Sequence, residues 1–357
     1  MKKILVIQNK RIGDVLISSV IANNIKKVFP ESEVTYFVYE YTAGVLENNP
    51  FIDRVISVKE KELKKLTKLF QTISKIKKEK YDIIFDPYSK FQSRMICLLS
   101  GAEYRIGFKR IKKKLRLPFY SHPINYIPRH TMFCGKAIEN RLNLVHSVFP
   151  IPSPAYEPLI YLTDEEKKYQ FPNNENLPVI MLGVLGSTPQ KSMPYPYVAE
   201  MIDYIAENYK AKILFNYAPN QKEEALKIYG LCKNKAQIDL DIYEDSIRGF
   251  IKLMNKCDML IANEGGSVHI AKALHKPTFT VYSPYIEKED WSSFEDHIQH
   301  ESIHLLEEKP NLYTAFTREE RKKIEENPSV MYNELTPALI FKKLKPFLAH
   351  HLKNAIK

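Results

Sequence analysis

The chain has 357 residues, of which 44% are hydrophobic, and it carries a formal net charge of +11. This length predicts about two domains, and the contents of 11 glycines and 22 prolines exclude a collagen-like or low-complexity protein. No stretch of about 20 apolar residues occurs in the sequence, so a membrane-spanning helix is not expected.

The basic balance of charge favours anionic partners such as nucleic acid, an anionic membrane face or phosphorylated small molecules. A lysine-rich composition that serves only solubility explains it equally well, and charge alone does not decide between the two. Near the N-terminus the apolar run 4–7 is too short for a signal peptide. Cysteines that are far apart, with no Cys-x-x-Cys pair, favour neither a zinc site nor a disulfide framework, so we expect a cytoplasmic protein with reduced thiols. The cysteines are Cys97, Cys134, Cys232 and Cys257.

The first half of the chain alternates between predicted strands and helices. Continuous runs of apolar and β-branched residues are typical of strands buried on both faces of a parallel sheet. They occur at 3–8, 33–39, 53–58, 82–86 and 103–108. Helical spacing of apolar residues predicts helices at 14–29, 59–80 and 130–149. The alternation predicts an α/β fold with a parallel sheet covered by helices.

The predicted helix 59–80 is unusually rich in lysine. Its apolar positions form one stripe, consisting of Leu63, Leu66, Phe70, Ile73 and Ile76. Lysines crowd much of the remaining surface, which is typical of a solvated face and also suits an anionic membrane surface. The cationic C-terminal segment suits such a surface too.

A linker divides the chain into two domains of similar architecture. Four prolines lie between Pro150 and Pro158, and proline cannot continue a helix or a central strand. Strands and helices alternate again after this segment. We therefore predict an N-terminal domain at 1–158, a second α/β domain at 159–335, and a C-terminal helix at 336–357 that packs back on the N-terminal domain.

Three loops that each follow a predicted strand carry the residues best suited to chemistry. Ligands of open parallel α/β sheets bind at the carboxyl ends of the strands. In the first loop, Asp14 lies in the first turn of a helix and Gly13 allows close approach of a ligand to the backbone. Asp14 is either an acid that supports its own helix or a base directed into a cleft.

The second loop follows the strand at 179–184. Gly186, Ser187 and Thr188 offer backbone amides and hydroxyls to phosphate oxygens, and Lys191 offers a positive charge. Neither the Gly-x-x-x-x-Gly-Lys pattern of a P-loop nor Gly-x-Gly-x-x-Gly is present. A phosphate site is therefore one interpretation of this loop.

The third loop reads "NEGGSVH". Gly265 and Gly266 permit tight turning, and a helix that begins near Ser267 offers free N–H groups to an anion. His269 in its first turn is able to donate a hydrogen bond to a phosphoryl oxygen. The alternatives are that Ser267 caps the helix and that His269 bonds a nearby carbonyl.

The three loops, in this order, resemble one family: glycosyltransferase family 9, the bacterial heptosyltransferases of lipopolysaccharide core assembly. The similarity extends over most of residues 1–290. The segments that carry it read "ILVIQNKRIGDVLISSVIANNIKKVFPESEVTYFV", "NNPFIDRVISV", "YDIIFDPYSKFQSRMICLLSGAEYRIGF" and "NEGGSVHIAKALHKPTFTVYSP".

This resemblance implies a GT-B fold, in which two Rossmann-like domains face each other across a cleft. It implies an inverting transferase that needs no metal. By the resemblance the nucleotide-sugar is ADP-heptose, and it counts as a substrate, so no cofactor is implied. By motif position Asp14 is the general base. The residues that match the donor-binding positions are Ser187, Thr188, Lys191, Glu264, Gly265, Gly266 and His269. The candidates for contact with a lipid-linked or oligosaccharide acceptor are Gly13, Lys61, Lys64 and Lys90.

The sequence departs from the family pattern in the donor loop. Glu264 stands where the family has an aspartate, and Gly265 stands where it has a serine or threonine. The transferred sugar and nucleotide are therefore open, and a transferase of the same family that uses another nucleotide-sugar is the alternative. A basic protein that binds nucleic acid without catalysis is a third hypothesis, although the chain has none of the usual nucleic-acid-binding motifs. We expect no nucleic-acid partner, and a cytoplasmic location that allows peripheral contact with the inner membrane.

Overall fold

The computed structural model describes residues 1–109, 117–173 and 176–357. These residues form two compact units. Unit 1 comprises Met1–Tyr161 together with Glu289–Ser293, and unit 2 comprises Leu162–Lys288 together with Phe294–Lys357. Among the described residues, no helix is long and apolar enough to cross a bilayer.

Unit 1 is a six-stranded parallel sheet with helices on it. Its strands are β1 (Lys3–Gln8), β2 (Glu33–Tyr39), β3 (Arg54–Val58), β4 (Ile83–Asp86), β5 (Tyr104–Phe108) and β6 (His122–Ile124). Its helices are α1 (Ile12–Ser18), α2 (Val20–Val28), α3 (Glu60–Leu63), α4 (Leu66–Glu79), α5 (Phe91–Leu99) and α6 (Lys136–His146). On one face of the sheet, Leu5 and Ile84 pack with Leu69, Ile73 and Ile96 of α4 and α5. Helices α1, α2 and α6 contact one another.

Unit 2 repeats this architecture. Its strands are β7 (Val179–Gly183), β8 (Lys212–Asn216), β9 (Ile238–Asp239), β10 (Met259–Asn263), β11 (Thr278–Val281) and β12 (His300–Ile303). Its helices are α7 (Asp164–Lys167), α8 (Tyr195–Asn208), α9 (Lys222–Leu231), α10 (Ile247–Lys256), α11 (Gly266–Ala273), α12 (Leu305–Glu308), α13 (Leu312–Ala315), α14 (Arg318–Glu326) and α15 (Pro337–His351). The predicted α/β class, with two parallel sheets covered by helices, is confirmed.

The C-terminal helix α15, for which we expected packing on the N-terminal domain, lies in the core of unit 2. Its Leu344 and Phe347 are buried in one cluster with Ile202, Ile261 and Phe279. The ring centroids of Phe347 and Phe279 are 5.7 Å apart. The helix therefore covers the unit 2 sheet.

The predicted helix 59–80 is divided into α3 and α4, and its apolar stripe is partly wrong. Lys65 has an extended backbone and makes no side-chain cap hydrogen bond at the start of α4. The change of direction buries Leu63 and Leu69, whereas Leu66 and Phe70 are 62% and 54% exposed. The sequence pattern assumed one continuous helical axis, so it placed these two side chains on the wrong face.

The two sheets have the same strand order. Unit 1 runs β3-β2-β1-β4-β5-β6, and unit 2 runs β9-β8-β7-β10-β11-β12. In both, the first strand of the unit lies at the centre between its second and fourth strands. The order in which successive strands are added to the sheet therefore changes side between β1 and β4 and between β7 and β10. We call these two places the reversal points, and ligands of open α/β sheets bind at such points.

Candidate functional site

Asp14 lies at the reversal point of the unit 1 sheet, in the first turn of α1. Its side chain is almost fully buried, and Oδ1 accepts from Lys10 Nζ at 2.8 Å and lies 3.5 Å from Arg141 Nη2. Arg141 is itself buried on α6, where its Nη1 donates to the carbonyl of Ala137. Two cations thus stabilise one carboxylate whose first-turn position the helix dipole also favours.

Of the two partners of Asp14, the sequence contains a signal for Lys10 and none for Arg141. Lys10 precedes Asp14 by four residues, so its spacing was a usable signal. Arg141 lies 127 residues away along the chain, and no local pattern pointed to it. Its contact with Asp14 depends on α6 packing beside α1.

The three lysines expected near an acceptor are exposed and follow two different strands. Lys61 and Lys64 follow the edge strand β3, and Lys64 Nζ pairs with Glu60 Oε1 at 2.8 Å. Lys90 lies in the loop after β4, and β4 is the strand that pairs with β1 in the sheet. Only Lys90 therefore follows a strand at the reversal point. Gly13 is buried in α1 next to Asp14.

A second buried acid in unit 1, Asp86, was not expected from the sequence. It ends β4, and it accepts from Tyr120 Oη at 2.7 Å and from the Ser89 N–H at 2.8 Å. Burial raises the pKa of this carboxyl to about 6, although the hydrogen bond from Tyr120 opposes the shift. An apolar run that ends in aspartate was its only sequence signal.

In unit 2, the loop after β7 folds back on itself. The Gly186 N–H donates to Ser192 Oγ at 2.9 Å, and Ser192 Oγ donates to the Thr188 carbonyl at 3.0 Å. A Cβ atom at Gly186 would overlap the carbonyl of Lys191, so this position requires glycine. Ser187 and Thr188 line a cavity of about 470 Å³. The cavity's other polar lining residues include Asn220, Gln221, Glu224 and Tyr332, which we did not predict.

Lys191 and Glu264 meet at the reversal point of the unit 2 sheet. Lys191 Nζ lies 2.6 Å from Glu264 Oε1, and the Glu264 side chain is only 9% exposed. Burial raises the pKa of Glu264, and the hydrogen bond from Lys191 opposes this shift. The loops after β7 and β10 are thus joined by an ion pair between residues 73 positions apart.

Asn263 is a further residue at this point that the sequence did not reveal. Its Oδ1 accepts from the Met193 N–H at 2.9 Å, and its Nδ2 donates to the Gly183 carbonyl at 3.2 Å. The side chain therefore fixes the start and the end of the β7 loop to β10, which holds Lys191 near Glu264.

Gly265, after β10, does not have a backbone conformation that requires glycine. Gly265 is the N-cap of α11, and its extended backbone (φ of 162°) is one that any residue adopts. A Cβ atom there would meet no atom of the described residues within 4 Å. Ser267 lies inside α11 and is not its cap, and His269 lies half-buried in the first turn. The loop thus has open space at Gly265, with the first N–H groups of α11 following it.

The described residues contain no group of three or more His, Cys, Asp or Glu side chains that could hold a metal ion. The arrangement instead offers a carboxylate beside two cations in unit 1, and in unit 2 an ammonium group with helix N–H groups and hydroxyls. The first holds a carboxylate oxygen in a fixed orientation, which a general base needs, and the second suits binding of a phosphorylated group.

Comparisons with known proteins find related sequences and structures. The sequence model of Glycosyltransferase family 9 (heptosyltransferase) matches residues 68–313. Lipopolysaccharide heptosyltransferase 1 of Campylobacter coli is 23% identical over 290 residues, which cover 78% of this chain and 83% of that protein. Two solved structures are similar to a larger share of this chain.

The crystal structure of a family 9 glycosyltransferase from Veillonella parvula has a TM-score of 0.77 at 18% identity and covers 97% of both chains. An Escherichia coli heptosyltransferase, solved with ADP-2-deoxy-2-fluoro heptose, has a TM-score of 0.66 at 17% identity and covers 84% of this chain and 92% of that one. These similarities confirm the GT-B fold class. The family model spans more than half of the sequence, and the chain therefore belongs to glycosyltransferase family 9, the heptosyltransferases.

Proposed function

We propose that this enzyme transfers heptose from ADP-heptose to a lipopolysaccharide core or related glycan acceptor, with inversion at the anomeric carbon and without a metal. The names of its relatives and the heptose-analogue complex of the Escherichia coli protein support this assignment. The observation that carries it is the Lys191–Glu264 pair, because it puts a cation at the reversal point of the unit 2 sheet.

In the proposed reaction Asp14 is the general base. The acceptor hydroxyl oxygen forms a bond to the anomeric carbon while its proton passes to the Asp14 carboxylate. The bond from that carbon to the diphosphate breaks on the opposite face, and the electron pair leaves with ADP. Lys10 and Arg141, which both approach Oδ1, would hold the carboxylate in a fixed orientation, so that positioning contributes to the rate.

The diphosphate would be bound in unit 2 by the groups around the β7 and β10 loops. Lys191, His269 and the first N–H groups of α11 would stabilise the charge that develops on the leaving group. Ser187 and Thr188, which line the cavity, would donate hydroxyl hydrogen bonds to the donor, and Glu264, Gly265 and Gly266 would contact it. Gly13, Lys61, Lys64 and Lys90 are the proposed acceptor contacts, the lysines by attraction to phosphorylated or carboxylated sugars.

The direct test is a transfer assay with ADP-heptose and a lipopolysaccharide core acceptor, with the product identified by mass spectrometry and its anomeric configuration by NMR. We expect transfer with inversion, and its loss in Asp14→Asn. Retention of configuration in the product would exclude this mechanism.

The second candidate function is transfer of a different sugar, and Glu264 and Gly265 favour it. Their family counterparts are a shorter acid and a hydroxyl, and the space beside Gly265 is open. A panel of ADP-heptose, UDP-hexoses and GDP-hexoses in a thermal-shift assay separates the two candidates. Stabilisation by a UDP- or GDP-hexose alone would favour the second candidate.

We also propose that the surface of α3 and α4 contacts an anionic membrane. Leu66 and Phe70 project from a lysine-rich helix and are 62% and 54% exposed, a combination suited to an anionic lipid surface. Leu66→Ser with Phe70→Ser should reduce co-sedimentation with phosphatidylglycerol vesicles. Leu226→Ser, at a leucine of α9 that is 45% exposed, is the matched control. Co-sedimentation that does not depend on anionic lipid content would contradict the proposal.

A further inference from the structure

The short segment Glu289–Ser293, which we call the docked segment, belongs to unit 1 although its chain neighbours on both sides belong to unit 2. It has no long helix or strand of its own to hold it. Its position in unit 1 must therefore come from contacts of its side chains and backbone.

Three neighbouring residues of unit 1 hold the docked segment. Glu289 Oε1 lies 3.2 Å from His130 Nδ1, and Asp290 Oδ1 lies 2.6 Å from Lys136 Nζ. Gly135, with φ of +85°, lies so close to Ser292 that a Cβ atom would overlap the Ser292 carbonyl. The absence of a side chain at Gly135 is thus a condition for this close approach.

Between these contacts the docked segment presents Trp291 to Lys10. The Lys10 ammonium lies 4.9 Å from the centroid of the Trp291 ring. The same Nζ atom lies 2.8 Å from Asp14 Oδ1. Trp291, Lys10 and Asp14 therefore form a chain of contacts that ends on the proposed base.

We infer that Trp291 is a positioning residue for Asp14, which acts by holding the Lys10 ammonium against the carboxylate. The inference rests on the proposed role of Asp14 as the base. A lysine side chain has a flexible four-carbon stem, and fixing it costs conformational entropy. The Lys10 side chain is 36% exposed, so water competes for its ammonium. The face of a tryptophan ring attracts that ammonium.

The docked segment thus completes the surroundings of the base. Arg141 approaches Asp14 from α6 and is held by the helix that carries it, whereas Lys10 lies in a loop before α1. Of the two cations on Asp14, Lys10 is therefore the one whose position depends on an additional contact.

Fluorescence tests the docking without reference to catalysis, because Trp291 is the single tryptophan of the chain. We expect a partly protected emission in the wild type. Gly135→Val and Asp290→Asn should shift the emission to longer wavelength and increase quenching by acrylamide. Asp239→Asn breaks a comparable pair with Lys212 in unit 2 and should leave the emission unchanged. Wild-type emission typical of a fully exposed tryptophan would overturn the inference.

Kinetics test the positioning role. Trp291→Ala should lower kcat about fivefold, and the KM of both substrates should change little. Trp291→Phe should retain most of the wild-type kcat, because a phenyl ring also attracts the ammonium. In a Lys10→Met background Trp291→Ala should have no further effect. Equal losses for Ala and Phe, or full additivity with Lys10→Met, would overturn the inference. Wild-type turnover in Asp14→Asn would instead exclude Asp14 as the base. The fluorescence result would still report whether the docked segment is bound to unit 1.

Discussion

The reversal points of the two sheets have the same topology and opposite chemistry. Unit 1 places an acid, Asp14, between two cations, whereas unit 2 places a cation, Lys191, on one buried acid. The strand order is identical, so topology determines where the polar side chains collect and not which charge they carry. Unit 1 thereby holds a carboxylate in a fixed orientation, and unit 2 offers an ammonium group that suits an anion.

The two units also differ in how their buried titratable groups respond to pH. Asp86, at the end of β4, has its pKa raised by burial to about 6. His300, at the start of β12, has its pKa lowered by burial to about 4. Burial favours the neutral form of both groups. Acidification neutralises the aspartate but charges the histidine, so it should stabilise unit 1 and destabilise unit 2.

The largest effect should come from removing the acid of unit 1. Asp14→Asn keeps the size of the side chain but cannot accept a proton, so kcat should fall about 10²- to 10⁴-fold. The matched control is Asp53→Asn, which alters another aspartate paired with a lysine, Lys26, at 2.8 Å. If both variants lose activity equally, the loss reflects folding and not base catalysis.

The stability of unit 1 should rise on mild acidification through Asp86. Its folded pKa of about 6 lies above its ordinary value of 3.8. The contribution to stability is thus complete below about pH 4 and is lost as the pH rises through about 6. Relative to Asp86→Asn, the wild type should gain up to about 3 kcal/mol between pH 7 and pH 4. Hydrogen exchange of the β4 amides measures it, and an identical pH dependence in the two proteins would refute the prediction.

Unit 2 should respond in the opposite direction through His300. Its folded pKa of about 4 lies below its ordinary value of 6.5. The stabilising contribution is therefore complete above about pH 6.5 and is lost as the pH falls toward 4. His300→Asn retains an acceptor or donor near Nδ1 for Thr278, 3.0 Å away in the wild type.

Relative to His300→Asn, the wild type should lose up to about 3 kcal/mol between pH 7 and pH 4. Hydrogen exchange of the β11 and β12 amides is the measurement. A gain of protection on acidification in both units would contradict the opposite pH responses of the two sheets.

The smallest of these effects should come from the cation of unit 2. Lys191→Met should weaken ADP-heptose binding about tenfold, because one charge-assisted hydrogen bond is lost. Lys309→Met, which removes a lysine paired with Glu334 at 2.7 Å, serves as control. Calorimetry that finds the same affinity in Lys191→Met and the wild type would exclude Lys191 from the donor site.

Much of the fold was predictable, because buried parallel strands are continuous apolar runs and are recognised locally. The errors arose where a neighbouring element decides the outcome. Leu66 and Phe70 fit a helical stripe, but the break between α3 and α4 turns them to the surface. For Ser267, a capping role is the alternative that the sequence leaves open, and the structure places Gly265 at the cap. A local sequence pattern shows the periodicity of a helix, but it does not show where one helix ends and the next begins in a new direction.

The sequence by itself determined the α/β class, the three loops that carry polar side chains and the family resemblance, because each of these depends on residues that are close in the chain. Only the tertiary structure decided which side chains meet. Arg141 contacts Asp14, Glu264 contacts Lys191, and Trp291 contacts Lys10. Each of these contacts joins residues separated by more than 70 positions, and the packing of strands and helices, which no local pattern encodes, brings them together.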